Sequence, residues 1–172
     1  MFVTFKHNQI INFETQLSIL IYMKLYILSF LLLLSPFSKT FYAKVVGITD
    51  GDSITVLTKD NQQIKIRLEG IDCPEHNQDF GQKAKQATSA LCFNKQVRIE
   101  KSGEDQYGRT LAFVYVGDLC VNKELLRQGM AWHYKKYNKS PELAKLEDEA
   151  RSKRIGLWSQ SAPIAPWDFR HK

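Results

Sequence analysis

In Arg67-Leu68-Glu69-Gly70-Ile71-Asp72-Cys73-Pro74-Glu75, a guanidinium is followed closely by two carboxylates set on either side of a proline. The Pro74 ring bars a helix or strand interior and holds the backbone in an open turn. Carboxylate oxygens bind hard metal ions, and a guanidinium meets phosphate oxygens in pairs, so these groups suit a place where a metal and a phosphate come together. The plain alternative for Arg67 is an exposed strand residue paired with Glu69 or Glu100. Upstream, Asp50-Gly51-Asp52 is a turn signal that offers two more carboxylates. As a turn it needs only a satisfied Asx side chain; as a calcium site it needs further oxygens to converge, because the ion takes about six to eight. Downstream, the polar loop Glu104 to Arg109 ends in a second guanidinium just before an apolar strand, and two arginines can bracket a phosphate. Trp132-His133-Tyr134-Lys135-Lys136-Tyr137 interleaves rings and cations, as on a surface where bases stack and lysines meet a backbone, with partial burial of Trp132 as the packing alternative.

These groups need a scaffold, and hydrophobic periodicity supplies one. Gln63 to Leu68 alternates, with Ile64, Ile66 and Leu68 on one face and Lys65 and Arg67 on the other. Lys44 to Thr49, Ser53 to Thr58, Val97 to Lys101 and Thr110 to Val116 also read as strands, separated by turn residues. Phe80, Ala84, Ala87 and Leu91 recur at helical spacing, so a helix is expected over 80–93, stopped by Asn94. Asn122 is expected to cap a short helix ending before Gly129. Ser140-Pro141-Glu142 opens another helix, which Gly156 should stop. The tail from Ala162 to Trp167, with two prolines, should run extended. The pattern fits an α+β, mainly β fold: a five-stranded, partly open barrel of the oligonucleotide-binding type with about three helices.

Composition agrees with one folded domain behind a processing segment. The chain has 172 residues, 44% of them hydrophobic, and a formal charge of +6, with no internal repeat or low-complexity stretch. Without residues 1–42 it keeps 21 Lys+Arg against 17 Asp+Glu, about +4, which favours a polyanionic partner. Leu25 to Leu34 is almost unbroken apolar sequence, preceded by Lys24 and followed by Ser35, Pro36 and Ser38, the layout of a cleaved secretory signal; Met23 is a candidate start. The competing reading joins 17–34 into a membrane anchor, against which Lys24 stands near the centre. The expected division is 1–42 as extension and signal, 43–159 as the domain and 160–172 as an extended tail, in a secreted or periplasmic protein.

In order and spacing, Ile48-Thr49-Asp50-Gly51-Asp52-Ser53, the Arg67 to Glu75 stretch, Tyr107-Gly108-Arg109, Val121-Asn122 through Leu126-Arg127-Gln128-Gly129, and Gly156-Leu157-Trp158 resemble the staphylococcal nuclease (thermonuclease) family over about residues 43–159. The resemblance implies a five-stranded barrel with three helices of the OB-fold kind, and calcium-dependent hydrolysis of DNA and RNA phosphodiesters that leaves 3′-phosphate ends. By motif, Asp52 and Asp72 correspond to the calcium carboxylates, the Cys73 carbonyl to a third ligand, Arg67 and Arg109 to the phosphate clamp, Glu75 to the general base and Asp50 to an acid just behind the metal. Tyr107, Lys135, Lys136 and Tyr137 are candidate contacts to nucleic acid, single-stranded by preference, for a protein acting as a monomer with no stable protein partner. Departures from the best-known member are Cys73 in place of a threonine, a shorter loop over 76–80, and Lys135 where that member has a base-contacting tyrosine. A catalytically silent nucleic-acid-binding module is the alternative; the joint presence of Asp52, Arg67, Asp72, Glu75 and Arg109 argues for hydrolysis. The family fold also brings the ends carrying Cys92 and Cys120 to one side of the barrel. For an exported chain this implies a disulfide between them with Cys73 left over, unless both are simply small buried residues.

Overall fold

The computed structural model describes residues 15–24, 26 and 39–171, and the chain divides into two compact units, 1–37 and 38–172. In the first unit, residues 15–24 are helical with exposed side chains. Among the described residues no helix is long and apolar enough to cross a membrane. The apolar run of the expected signal, Tyr26 apart, lies outside them.

The second unit is a closed barrel. Strand β1 (Lys39–Asp50) pairs antiparallel with β2 (Ser53–Leu57), β2 with β3 (Gln63–Leu68), and β1 also with β5 (Gln96–Glu104). Strand β5 pairs with β6 (Thr110–Val116), and β6 runs parallel to β3, which shuts the ring. All five expected strands are present. Strand β1 begins at Lys39, so residues 39–42, which the sequence reading set outside the domain, are paired with β5. Alternation fills the interior with Val45, Ile54, Val56, Ile66, Ile99 and Val114, all essentially inaccessible to water. Burial of each such side chain contributes about 1.5–3 kcal/mol. A two-residue strand β4 (Ile71–Asp72) leaves the end of β3 and pairs with β8 (Trp132–His133), while β7 (Leu119–Cys120) extends β6 as a hairpin.

Three helices close the barrel: α1 (Gly81–Cys92), α2 (Val121–Arg127) and α3 (Pro141–Ser152), followed by a 3₁₀ turn over Gly156–Ser159. The Ser140 hydroxyl accepts from the Leu143 N–H at 3.4 Å, the start signal read from Ser140-Pro141. Asn122 does not cap α2, whose N-cap is Cys120. Its buried amide instead accepts from the Val114 N–H and donates to the carbonyls of Glu69 and Ala112, tying the ends of β3 and β6 together. Asn94 stands just past α1 with φ of 61°, the left-handed stop its type allows. The tail is not extended throughout: Pro166–Phe169 forms a single helical turn, α4.

The expected Cys92–Cys120 bridge is absent; Cys73, Cys92 and Cys120 are all free and buried. Each of the two has a partner of its own. The Cys92 thiol donates to the Thr88 carbonyl at 3.1 Å inside α1, and Cys120 meets the Tyr115 side chain at the β6 hairpin. Burial pushes the Cys92 thiol up to about 12, so it is the small protonated apolar residue of the alternative reading.

Candidate active site

The turn between β1 and β2 carries Asp50 and Asp52 to the barrel rim, and Gly51 lets it seat there. A Cβ on Gly51 would lie 2.7 Å from that of Cys73 and 2.8 Å from that of Ala84, while the buried Thr88 hydroxyl of α1 donates to the Gly51 carbonyl. Strand register sets Arg67 opposite Ser53. The Asp52 carboxylate accepts from the Cys73 N–H at 2.7 Å and from the Ser53 hydroxyl at 3.1 Å, and stands 2.9 Å from Arg67. Pairing of β4 with β8 seals Asp72 to 1% exposure. Arg67 donates to the Ile71 carbonyl at 3.0 Å and to Asp72 at 2.6 Å, so it is not the strand residue paired with Glu69 or Glu100 of the plain alternative. Glu75 follows Pro74 on a loop that α1 presses from behind: a Cβ on Gly81 would come within 1.8 Å of the Glu75 carbonyl. Gln78 accepts from the Glu75 N–H at 3.0 Å and holds that loop from within. Arg109, at the head of β6, donates to Asp105 at 2.7 Å and to the Ser53 hydroxyl at 3.3 Å. Ser53 therefore links Arg109 to Asp52, which Arg67 meets directly, a connection its sequence position does not advertise.

The rim is crowded with negative charge. Burial, together with Asp52 and Glu75, pushes the Asp50 carboxyl above the ordinary range. Asp72 is pushed up as well, by burial and by Asp52, against the pull of Arg170 and Arg67. Burial works against the charge on Arg67, but Asp52 and Asp72 outweigh it and raise its pKa. The Cys73 thiol is driven far up by burial and stays protonated. Among the described residues no three side chains of His, Cys, Asp or Glu gather as a metal cage.

These groups face a cleft of about 780 Å³. Of the expected nucleic-acid contacts, Tyr107, Lys136 and Tyr137 line it, with Tyr107 74% and Tyr137 68% exposed. Lys135 does not; its ammonium lies 2.7 Å from the buried Glu147 carboxylate. Sequence reasoning missed three cleft residues. Tyr134 stacks on Trp167 with ring centroids 5.3 Å apart and an interplanar angle of 2°. Arg170, just past α4, donates to Asp72 at 2.8 Å and to Glu75 at 2.6 Å. The signal was there in Trp167-Asp168-Phe169-Arg170: two large apolar rings have little reason to sit in a solvated tail.

Comparison with known proteins agrees with this geometry. Residues 65–160 match the family model described as staphylococcal nuclease homologue. The chain is 46% identical over 129 residues to a protein of Haemophilus influenzae named uncharacterized endonuclease, covering 75% of this chain and 72% of that one. It is 40% identical over 156 residues to the Escherichia coli protein named ParB, covering 84% and 88%, and 39% identical over 141 residues to a Shigella flexneri protein named micrococcal nuclease, covering 76% and 80%. The class so defined is a nuclease, an endonuclease-type hydrolase. The chain belongs to the staphylococcal nuclease family.

Proposed function

We propose that this protein is an exported, calcium-dependent endonuclease that acts as a monomer on DNA and RNA, prefers single strands and leaves 3′-phosphate ends. The observation that carries the reading is the rim constellation: two arginines converging on Asp52, Arg67 directly and Arg109 through Ser53, with Asp72 and Glu75 in the same open cleft. Calcium would be held by Asp52, Asp72 and the Cys73 carbonyl. The donor set fits such an ion because every available atom is a hard oxygen, and because four carboxylates, Asp50, Asp52, Asp72 and Glu75, crowd one rim where burial and then the neighbouring acids raise two of them. When bound, the ion supplies positive charge to a nonbridging phosphate oxygen.

The chain's own residues do the rest. Arg67 and Arg109 would clamp the scissile phosphate and stabilise the charge that grows on its equatorial oxygens as water adds. Glu75, a third exposed and at the cleft edge, would take a proton from that water. The phosphorus–O5′ bond would break as water's oxygen bonds phosphorus, the 5′ oxygen would take up a proton from solvent and leave as a hydroxyl, and the phosphate would stay on the 3′ side. Tyr107, Tyr137 and Lys136 would contact the strand on either side, rings on bases and the ammonium on the backbone. Asp50 would stay behind the ion and add to the negative field. Export rests on the charged start and apolar run of residues 24–34.

Plasmid digestion with calcium, magnesium and chelator tests the reading. Calcium should support cleavage best and magnesium poorly, since magnesium demands a stricter octahedral shell than this sparse site offers. Full activity in EDTA, or activity with zinc alone, would be incompatible with it. End-group analysis should find 3′-phosphates, and N-terminal sequencing of protein from the culture medium should begin beyond the apolar run.

A further inference from the structure

The C-terminal segment reaches into the catalytic rim. Ala165 and Pro166 are buried, Gln78 donates to the Ile164 carbonyl at 2.7 Å, and Trp167 rests between Tyr134 and Trp132. Those contacts fix the backbone of α4, and the Arg170 N–H closes the turn on the Pro166 carbonyl at 3.0 Å. The Arg170 side chain, 39% exposed, then extends over the acids. One of its terminal nitrogens lies 2.8 Å from one Asp72 oxygen; the other lies 2.6 Å from Glu75 and 3.4 Å from the second Asp72 oxygen. With Arg67 2.6 Å from that same second oxygen, both Asp72 oxygens are engaged by guanidinium.

We propose that Arg170 is an internal stand-in for the metal: its guanidinium occupies the Asp72 and Glu75 oxygens in the metal-free enzyme, and calcium and Arg170 compete for them. This rests on the calcium reading above and adds a regulatory contact to it. An exposed surface ion pair would carry no such meaning, since both partners are as well solvated apart as together. Here one partner is 1% exposed and has a second carboxylate, Asp52, against its neighbour Arg67, so it needs compensating charge whenever the ion is away. A guanidinium can meet two carboxylates at once, which a lysine ammonium on the same backbone would do less well. The same contact also ties up Glu75, so the base is freed by the event that fills the metal site. Gln78 joins the two halves of the device, because its side chain accepts from the Glu75 N–H while donating to Ile164 in the tail. Only the arginine side chain has to swing; α4 stays docked.

The test uses the purified full chain and reads calcium binding by calorimetry without nucleic acid, alongside thermal unfolding in EDTA and in saturating calcium. Arg170→Gln should tighten calcium by roughly 5- to 20-fold, the strength of a charge-assisted contact discounted for partial exposure. It should also lower the unfolding temperature in EDTA and widen the gain that calcium gives, because the stand-in is lost but the ion is not. Arg170→Lys should fall between, keeping the charge without the fork. Unchanged calcium affinity with weaker binding of a single-stranded oligonucleotide in EDTA would make Arg170 a phosphate ligand and overturn the competition. Unchanged values throughout would make it an idle surface contact. Failure of the wild-type chain to bind calcium at all would instead overturn the metal site, a result that the variant's behaviour cannot mimic.

Discussion

Asp72 and Glu147 are both 1% exposed carboxylates held by two cations each, yet they belong to opposite kinds of region. Glu147, on α3, accepts from the His133 N–H at 3.2 Å and from Arg151 at 3.0 Å, with Lys135 2.7 Å from its other oxygen. Arg151 in turn lies over the rings of Trp158 and Trp132, its guanidinium carbon 3.9 Å and 4.7 Å from their centroids. All its charged partners are cations, and its surroundings are rings. Asp72 has Arg67 and Arg170, but it also has Asp52 beside it and Glu75 on the same guanidinium, and it opens on a cleft. Burial of an ion pair does not mark a site, since such pairs also serve as struts. What separates the two is the sign of the charge left over: one carboxylate with two cations leaves the Glu147 cluster positive, whereas Asp50, Asp52, Asp72 and Glu75 outnumber Arg67 and Arg170 and leave the Asp72 rim negative.

The largest effect that would test the contrast is on catalysis. Glu75→Ala should lower turnover by roughly 10²- to 10⁴-fold if Glu75 is the base, with single-strand affinity nearly unchanged. Glu147→Ala should leave turnover per folded molecule close to wild type, because no cleft group depends on it directly. Steady-state assays on both variants, corrected for the folded fraction by circular dichroism, decide this. Near-normal turnover in Glu75→Ala would remove the catalytic assignment; a comparable loss in Glu147→Ala would erase the distinction between the regions.

Stability should show the reverse order. Glu147→Ala strands two cations and the His133 N–H, and should cost about 3 kcal/mol, the low end for a broken buried pair because Lys135 and Arg151 can both return to water. For a chain of this size that is a fall of roughly 10 °C in unfolding temperature. Asp72→Asn, measured in EDTA, should change it little or raise it. The substitution keeps the shape and removes one of the crowded charges, while calorimetry should find calcium binding lost. A steep loss of stability in Asp72→Asn would mean that its arginine pairs hold the fold and that Arg170 is no stand-in for an ion.

How much of this was readable beforehand follows from range along the chain. The strands were legible because a side chain's face is set by its immediate neighbours, and Arg67, Asp72 and Glu75 because one turn carries all three. Asp52 and Arg109 could be placed beside them only through the family motif, and the structure supplies the linking hydroxyl of Ser53. For Arg170 the rings of Trp167 and Phe169 hinted only that the tail docks; its partner could not be read, because it meets Asp72 across 98 positions, after a proline-bearing stretch that local rules assign to solvent. The cysteines failed for a related reason. A shared side of the barrel is a statement about backbone, whereas a disulfide needs two sulfurs aimed at each other, and Cys92 and Cys120 are aimed at Thr88 and Tyr115.

The finest division falls between two adjacent lysines that sequence alone treats as a pair. Lys136 lines the cleft, with its ammonium 5.5 Å from the Tyr137 ring centroid, while Lys135 turns back to Glu147, a partner it acquires only once α3 has packed. Lys136→Ala should therefore weaken binding of a single-stranded oligonucleotide a few-fold and reduce the slope of log affinity against log salt by roughly 0.7, the share of one phosphate contact on a single strand. It should leave the unfolding temperature alone. Lys135→Ala should do the opposite, lowering the unfolding temperature by several degrees, since a buried carboxylate loses one of its two cations, with the salt slope intact. Binding isotherms at several salt concentrations on the two single variants check both halves. Equal slope changes in the two would show Lys135 leaving Glu147 to meet the backbone, and would move it from the strut to the site.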